Sequence, residues 1–102
     1  MLFMRVISKK TLVEFYEKKG LKDAKGPLEA WYHEAKKANW KSWTDIKKKY
    51  RSASPLKDSR VVFNIGGNKY RLVVKINYPA QIVFIRFIGT HKEYDSIEAE
   101  VI

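Results

Sequence analysis

A set of cations, one histidine and one tyrosine in the second half of the chain could together act on a phosphodiester. Guanidinium and ammonium groups bind phosphate oxygens, and histidine titrates near neutrality and can transfer protons. RNA supplies its own nucleophile, the 2′-hydroxyl. A site of this kind must remove the hydroxyl proton, stabilise charge on the phosphate and protonate the leaving oxygen. The candidate catalytic residues are His91, Arg71, Arg86, Tyr94 and Lys69.

Two predicted hairpins would bring these residues together. Gly66-Gly67 and Pro79-Ala80 are pairs typical of tight turns, and a two-residue first turn would place Ile65 opposite Asn68. The second turn would place Val74 opposite Ile85 and Leu72 opposite Phe87, all on one face. On the other face, Arg86 would share a row with Arg60 and Val73, and Ile88 would share the next row with Val62 and Arg71. Because side chains alternate between the faces of a strand, one face is then wholly apolar. The other face carries cations, so we expect it to meet a polyanion. The candidate RNA-binding residues are Arg60, Asn64, Lys75, Lys92, Lys47, Lys48 and Lys49.

Other chemistries find less support in the sequence. A metal nuclease needs clustered carboxylates, and the predicted basic face has none, so no metal or other cofactor is expected. Gly66-Gly67 lacks the Gly-Lys-Ser/Thr and the following helix of a phosphate loop. Two non-catalytic alternatives stay open: a module that binds RNA, the ribosome or an acidic protein through the same basic face, and an operator-DNA binder. The operator-DNA binder ranks last, because no recognition-helix pattern stands out.

Composition indicates one domain, residues 1–102. The chain has 21 basic and 11 acidic residues, for a net charge of +10, and 45% of its residues are hydrophobic. The basic excess favours a polyanionic partner. There is no cysteine and there are only two histidines, which are too few ligands for a structural zinc site. The amino-terminal residues do not form a secretory signal and no apolar run would span a bilayer, so we expect a cytoplasmic protein.

The first half of the chain predicts helices that cover the apolar face of the sheet. A short strand from Leu2 to Ile7 precedes a first helix that Ser8 would cap, and a second helix opens at Gly26-Pro27. Ser42 would begin a short third helix, and residues 52–59 would form a loop. Thr90 and Glu93 have the spacing of a capping box after the last strand. The tryptophans are expected to be packing anchors rather than base-stacking residues.

Several strings of this sequence resemble the HigB toxins of type II toxin–antitoxin systems. They are Phe-Asn-Ile-Gly-Gly-Asn at 63–68, Thr-His-Lys-Glu-Tyr-Asp at 90–95, Arg5-Val-Ile-Ser-Lys-Lys-Thr-Leu, and Pro27-Leu-Glu-Ala-Trp-Tyr. The resemblance covers nearly the whole chain. It implies an α+β, RelE-like fold in which an antiparallel sheet of about four strands carries two to three helices on one face.

The resemblance also implies a function. Members of this family are mRNA endonucleases that act on the translating ribosome without a metal, through the RNA 2′-hydroxyl. A HigA-like antitoxin binds the toxin, and operator DNA is reached only through that antitoxin. Carried over to this chain, the active groups are Lys69, Arg71, Arg86, His91 and Tyr94. The expected partners are therefore mRNA on the ribosome, ribosomal RNA and the antitoxin. From their charge alone, the helix lysines Lys36, Lys37 and Lys47–Lys49 are expected to contact ribosomal RNA.

Overall fold

The computed structural model describes residues 3–102, so Leu2, the predicted first residue of the strand, lies outside the described part. Five strands form one sheet in the order β1-β5-β4-β3-β2. The elements, in chain order, are β1 (Arg5–Ile7), α1 (Lys9–Tyr16), a short 3-10 turn (Lys22–Ala24), α2 (Lys25–Lys37), α3 (Trp43–Lys49), β2 (Ser54–Leu56), β3 (Arg60–Ile65), β4 (Tyr70–Asn77), β5 (Ile82–Thr90) and α4 (His91–Asp95).

The α+β class is confirmed, but the sheet has five strands and is mixed. Strand β1 pairs with β5 in parallel. The sequence did not show this direction, because side chains alternate between the two faces in the same way in parallel and antiparallel strands. Strand β2 lies at the other edge and pairs with β3 where a loop was expected. Its Pro55 is tolerated there because an edge strand needs hydrogen bonds on one side only.

Helices α1, α2 and α3 cover one face of the sheet, as predicted. Leu12, Leu28 and Ile46, one from each helix, are fully buried in the main core with the sheet. Trp31, Trp40 and Tyr50 surround Phe63 of β3, with ring centroids 5.0–6.0 Å from its own. Trp31 and Trp40 are thus the packing anchors expected. Ser8 and Ser42 do stand at the helix N-caps, although neither side chain accepts a capping hydrogen bond.

The connection of the first hairpin is two residues longer than predicted, so the pairing of β3 with β4 is shifted by two residues. Ile65 pairs with Tyr70, not with Asn68, and residues 66–69 form the connection. Both glycines have positive φ, 63° and 70°, which explains the glycine pair. A shift of two residues returns each side chain to its original face, so the predicted division of β3 and β4 into an apolar and a basic face is correct.

A β-bulge in β5 changes the second hairpin. Ile85 pairs with Val74 as predicted, but Phe87 pairs with Val73, so Arg86 is the extra residue. One inserted residue exchanges the faces of all that follow. The prediction was therefore wrong for Phe87 and Ile88: Ile88 packs against the main core, and Phe87 joins a second cluster on the outer face.

That second cluster covers the middle of the outer face. Val62 and Val73 of the sheet pack there with Ala99 of the carboxy-terminal segment, against Phe87 and Tyr94. The outer face is therefore not a continuous basic surface. Helix α4 and residues 96–102 divide it into an end near Arg71 and an end near Lys75.

Candidate functional site

Arg71 lies on the outer face, in the row Asn64–Arg71–Gly89 across β3, β4 and β5. Its guanidinium is held by the preceding connection: Nη2 donates to Oδ1 of Asn68 at 2.8 Å, and Nη1 to the Asn68 carbonyl at 3.2 Å. A guanidinium fixed on one edge keeps its remaining donors for an incoming phosphate.

His91 is the first residue of α4, directly after β5. Its backbone N–H donates to the carbonyl of Lys69 at 3.1 Å, which ties α4 to the β3–β4 connection. The predicted capping box is confirmed: Glu93 N–H donates to Thr90 Oγ1, and Thr90 N–H donates to Glu93 Oε1. The imidazole is exposed, and its Nε2 lies 3.7 Å from Oδ1 of Asp95, an ion pair only when the histidine is protonated.

Tyr94 packs against the outer face while keeping one side accessible. Its ring centroid is 6.5 Å from that of Phe87, and the residue is half-buried. It lines an open cleft of about 530 Å³ together with Leu56, Asp95 and Ile97. A half-exposed aromatic ring is suited to stack on a base.

Gly89 allows this close packing of β5 and α4. A Cβ at position 89 would lie 2.4 Å from Cζ of Phe87 and 3.1 Å from Oε1 of Glu93. The phenyl ring therefore occupies the space above the glycine, and the capping carboxylate of α4 reaches the same point. Sequence reasoning missed this contact, because it arises only from the bulge that turns Phe87 outward.

Arg86 is exposed on the bulge of β5 and makes no hydrogen bond or ion pair to the residues that the structure describes. Bulges re-aim side chains, often next to active sites. The residue stays a candidate for phosphate contact, although its predicted row with Arg60 and Val73 was wrong: Arg60 pairs with Lys75, which pairs with Phe84.

Lys69 does not join the basic face. It lies in the β3–β4 connection, and its ammonium donates to Oδ2 of Asp23, in the 3-10 turn of the helical layer. The Tyr70 hydroxyl donates to the other oxygen of the same carboxylate. The hydrogen bond from Lys69 lowers the pKa of Asp23, and the carboxylate in turn raises the pKa of Lys69. The prediction that Lys69 and Arg71 point to one spot was therefore wrong.

Arg60 is buried, with 7% of its surface exposed. Its Nε donates to the Ile102 carbonyl at 2.8 Å, and its Nη1 lies 3.7 Å from Oδ2 of Asp58. The prediction that Arg60 holds RNA phosphates was wrong for the folded chain, because the side chain is buried, with Nε bonded to Ile102 and Nη1 beside Asp58. The alternating pattern of β3 could not have shown that the carboxy-terminal segment packs over Arg60.

The other predicted RNA-binding residues lie around the edge of these groups. Asn64 is half-buried and donates to the Ser52 carbonyl, Lys75 is half-buried in the row of Arg60, and Lys92 is exposed on α4. On α3, Lys48 is exposed, whereas the Lys47 ammonium donates to the carbonyls of Arg51 and Ala53. Lys49 lies 3.9 Å from Glu34.

The sequence analysis did not predict a role for two residues that bind side chains of this region: Asp23, which accepts from Lys69 and Tyr70, and Asn68, which accepts from Arg71. Neither belongs to a periodic pattern, and Asp23 lies 46 residues from Lys69. Among residues 3–102, no group of three or more His, Cys, Asp or Glu side chains could hold a metal ion. None of the helices described there is both long and apolar enough to span a bilayer.

Comparison with known sequences now decides the family. Residues 24–97 match the sequence model of the HigB toxins, described as the RelE-like toxic component of a toxin–antitoxin system. The chain belongs to the HigB toxin family. The matched residues begin at Ala24, one residue after Asp23, and end two residues beyond α4. They include the β3–β4 connection, Arg71, Arg86, His91 and Tyr94.

Relatives of this HigB-family chain carry names that state an activity. Over 42 residues it is 45% identical to the mRNA interferase toxin HigB of Escherichia coli K12. The proteins named mRNA interferase HigB of Escherichia coli O157:H7 and Shigella flexneri match equally. The aligned stretch covers 41% of this chain and 40% of each relative, so less than half of either length is compared.

Proposed function

We propose that this HigB-family chain is an mRNA endonuclease that cleaves message on the ribosome through the RNA 2′-hydroxyl and is neutralised by a HigA-like antitoxin. Family membership supports the toxic role, and the relatives' names support the substrate. The observation that carries the chemistry is the meeting of β4, β5 and α4. There, the backbone of His91 is bonded to the residue two positions before Arg71.

In the proposed reaction, the 2′-oxygen attacks the adjacent phosphorus while its proton leaves to a base. The bond to the 5′-oxygen breaks, and that oxygen takes a proton. The products are a 2′,3′-cyclic phosphate and a 5′-hydroxyl. His91 serves as base or acid, and its Nε2 lies 3.7 Å from Oδ1 of Asp95. Arg71 and Arg86 stabilise the charge on the pentavalent phosphate, and Tyr94 positions the scissile nucleotide.

The surrounding cations would hold the rest of the RNA. Lys75, Lys92 and Asn64 flank the outer face and would contact the message. Lys48 with Lys36 and Lys37 would contact ribosomal RNA, since these lysines are exposed on the helical layer. A protein of net charge +10 is suited to approach a polyanion. Operator DNA would be contacted only through the antitoxin.

The test is cleavage of message on programmed ribosomes. We expect wild-type protein to produce new 5′-hydroxyl and 2′,3′-cyclic phosphate ends, and a 2′-deoxynucleotide at the cleavage position to block the cut. His91→Ala should lower the rate by about 10²–10⁴-fold with little loss of ribosome binding. The matched control is His33→Ala, which removes the other histidine, exposed on α2.

Binding without cleavage by wild-type protein would favour the non-catalytic RNA- or ribosome-binding module instead. Equal rates for wild type and His91→Ala would reject the role given to His91. Fragments ending in a 3′-hydroxyl would reject attack by the 2′-oxygen.

A further inference from the structure

Asp23 is an acidic residue bound to two consecutive residues of the β3–β4 hairpin. One carboxylate oxygen accepts from the Lys69 ammonium and the other from the Tyr70 hydroxyl. The carboxylate thus joins the helical layer to the end of the connection where β4 begins.

The same connection supports both chemical groups of the candidate site. The Lys69 carbonyl accepts the N–H of His91, which begins α4. Asn68, one residue earlier, holds the guanidinium of Arg71 through its side chain and its carbonyl. A displacement of residues 68–70 would therefore move the histidine and the arginine at once.

We propose that Asp23 is a positioning residue of the site, which acts through Asn68, Lys69 and Tyr70 to fix His91 relative to Arg71. This inference rests on the proposed function, because it assigns a role in the same reaction. Asp23 contacts neither group directly. Its effect is transmitted to His91 by the hydrogen bonds that Asp23 accepts from Lys69 and Tyr70 and by the backbone hydrogen bond from His91 to Lys69. It reaches Arg71 through the two hydrogen bonds that the guanidinium donates to Asn68.

A plain surface ion pair would not suffice for this role, since exposed pairs contribute little and both Asp23 and Lys69 are largely exposed. The second hydrogen-bond partner of Asp23, the Tyr70 hydroxyl, gives the carboxylate a fixed position. Tyr70 is 4% exposed and packs edge-on against Phe15 of α1, with ring centroids 5.5 Å apart. A buried phenol directs its hydroxyl along one line, so the carboxylate that accepts it is held in place. The hydrogen bond to Asp23 raises the pKa of Tyr70, as expected for a phenol donating to a carboxylate.

The test combines kinetics with amide exchange on the full chain. Asp23→Asn should lower the single-turnover cleavage rate on programmed ribosomes by roughly 10- to 100-fold, because small misplacements of reacting groups cost that much. Ribosome affinity should stay within about twofold. Hydrogen exchange at the His91 amide should quicken by about tenfold, the loss expected when one backbone hydrogen bond weakens. Asp23→Glu should recover part of both losses.

The matched control is Glu29→Gln. Glu29 of α2 accepts a hydrogen bond from the buried Tyr16 at 3.1 Å, so this change disturbs the same kind of tyrosine–carboxylate contact away from the connection. We expect neither the cleavage rate nor His91 exchange to change. Tyr70→Phe removes the second bond alone and should reproduce part of the Asp23→Asn effect; it also serves if Asp23→Asn folds poorly.

Three outcomes would overturn the proposal. An unchanged rate in Asp23→Asn would do so, as would a slower rate with unchanged His91 exchange. Tighter RNA binding and faster cleavage would show instead that Asp23 merely masks Lys69. Failure of the proposed function looks different: wild-type protein would then not cut RNA, while the exchange at His91 would still respond to Asp23→Asn.

Discussion

Arg60 donates a hydrogen bond from Nε to the carbonyl of Ile102, 42 residues further along the chain, at 2.8 Å. The contact closes the carboxy-terminal segment over the outer face of the sheet. A guanidinium on a strand with a basic pattern is thus part of the fold rather than of the RNA-binding surface.

Arg60→Ala should destabilise the protein by roughly 1.5–3 kcal/mol, the range for hydrogen bonds that involve a charged group. The physical reason is the loss of the donor to Ile102 and of packing beneath the carboxy-terminal segment. Urea unfolding measures the change. The control is Arg86→Ala at the exposed bulge, which should stay within about 0.5 kcal/mol. Full stability of Arg60→Ala with lost RNA binding would contradict this assignment.

Gly89→Ala should destabilise by about 1–3 kcal/mol, as overpacking does. The new methyl group would meet Phe87 at 2.4 Å, so the ring must move and the capped start of α4 with it. Thermal or urea unfolding checks the stability. Gly26→Ala is the control: its Cβ would meet nothing within 4 Å, and alanine favours the helix, so we expect no loss. Equal effects of both substitutions would argue against the Phe87 contact.

Acid should remove the stabilising effect of Asp23. Because its folded-state pKa is lowered below 3.8, its contribution is present above pH 3.8 and is lost as the pH falls through the lowered value. Wild type should therefore be more stable than Asp23→Asn at neutral pH, and the two should converge below pH 3.8. Urea midpoints across the acid range measure this. A difference that stays constant with pH would mean that the charge of Asp23 is not the cause.

Lys48→Ala should weaken ribosome binding and reduce the slope of log affinity against log salt by about one unit, if Lys48 contacts one phosphate. Its neighbour provides the comparison. Because the Lys47 ammonium is bound to the carbonyls of Arg51 and Ala53, Lys47→Ala should alter the slope less and cost some stability. Binding titrations at several salt concentrations distinguish the two. An unchanged slope for Lys48→Ala would place the ribosome contact elsewhere.

The sequence by itself determined the α+β class and the faces of β3 and β4. Alternation of apolar and polar residues assigns a side chain to a face whatever the exact pairing. The two-residue error in the pairing at Gly66-Gly67 therefore left the predicted faces of β3 and β4 unchanged. It also predicted the capping box of Thr90 and Glu93, because that motif is local.

Tertiary structure alone decided which of the cations are available. The bulge at Arg86 reversed the faces of Phe87 and Ile88, and a bulge depends on how two strands fit rather than on either one. The cover over Arg60 and the bond from Asp23 to Lys69 join residues more than 40 positions apart. Such contacts depend on how the layers pack, and neither periodicity nor spacing records that packing.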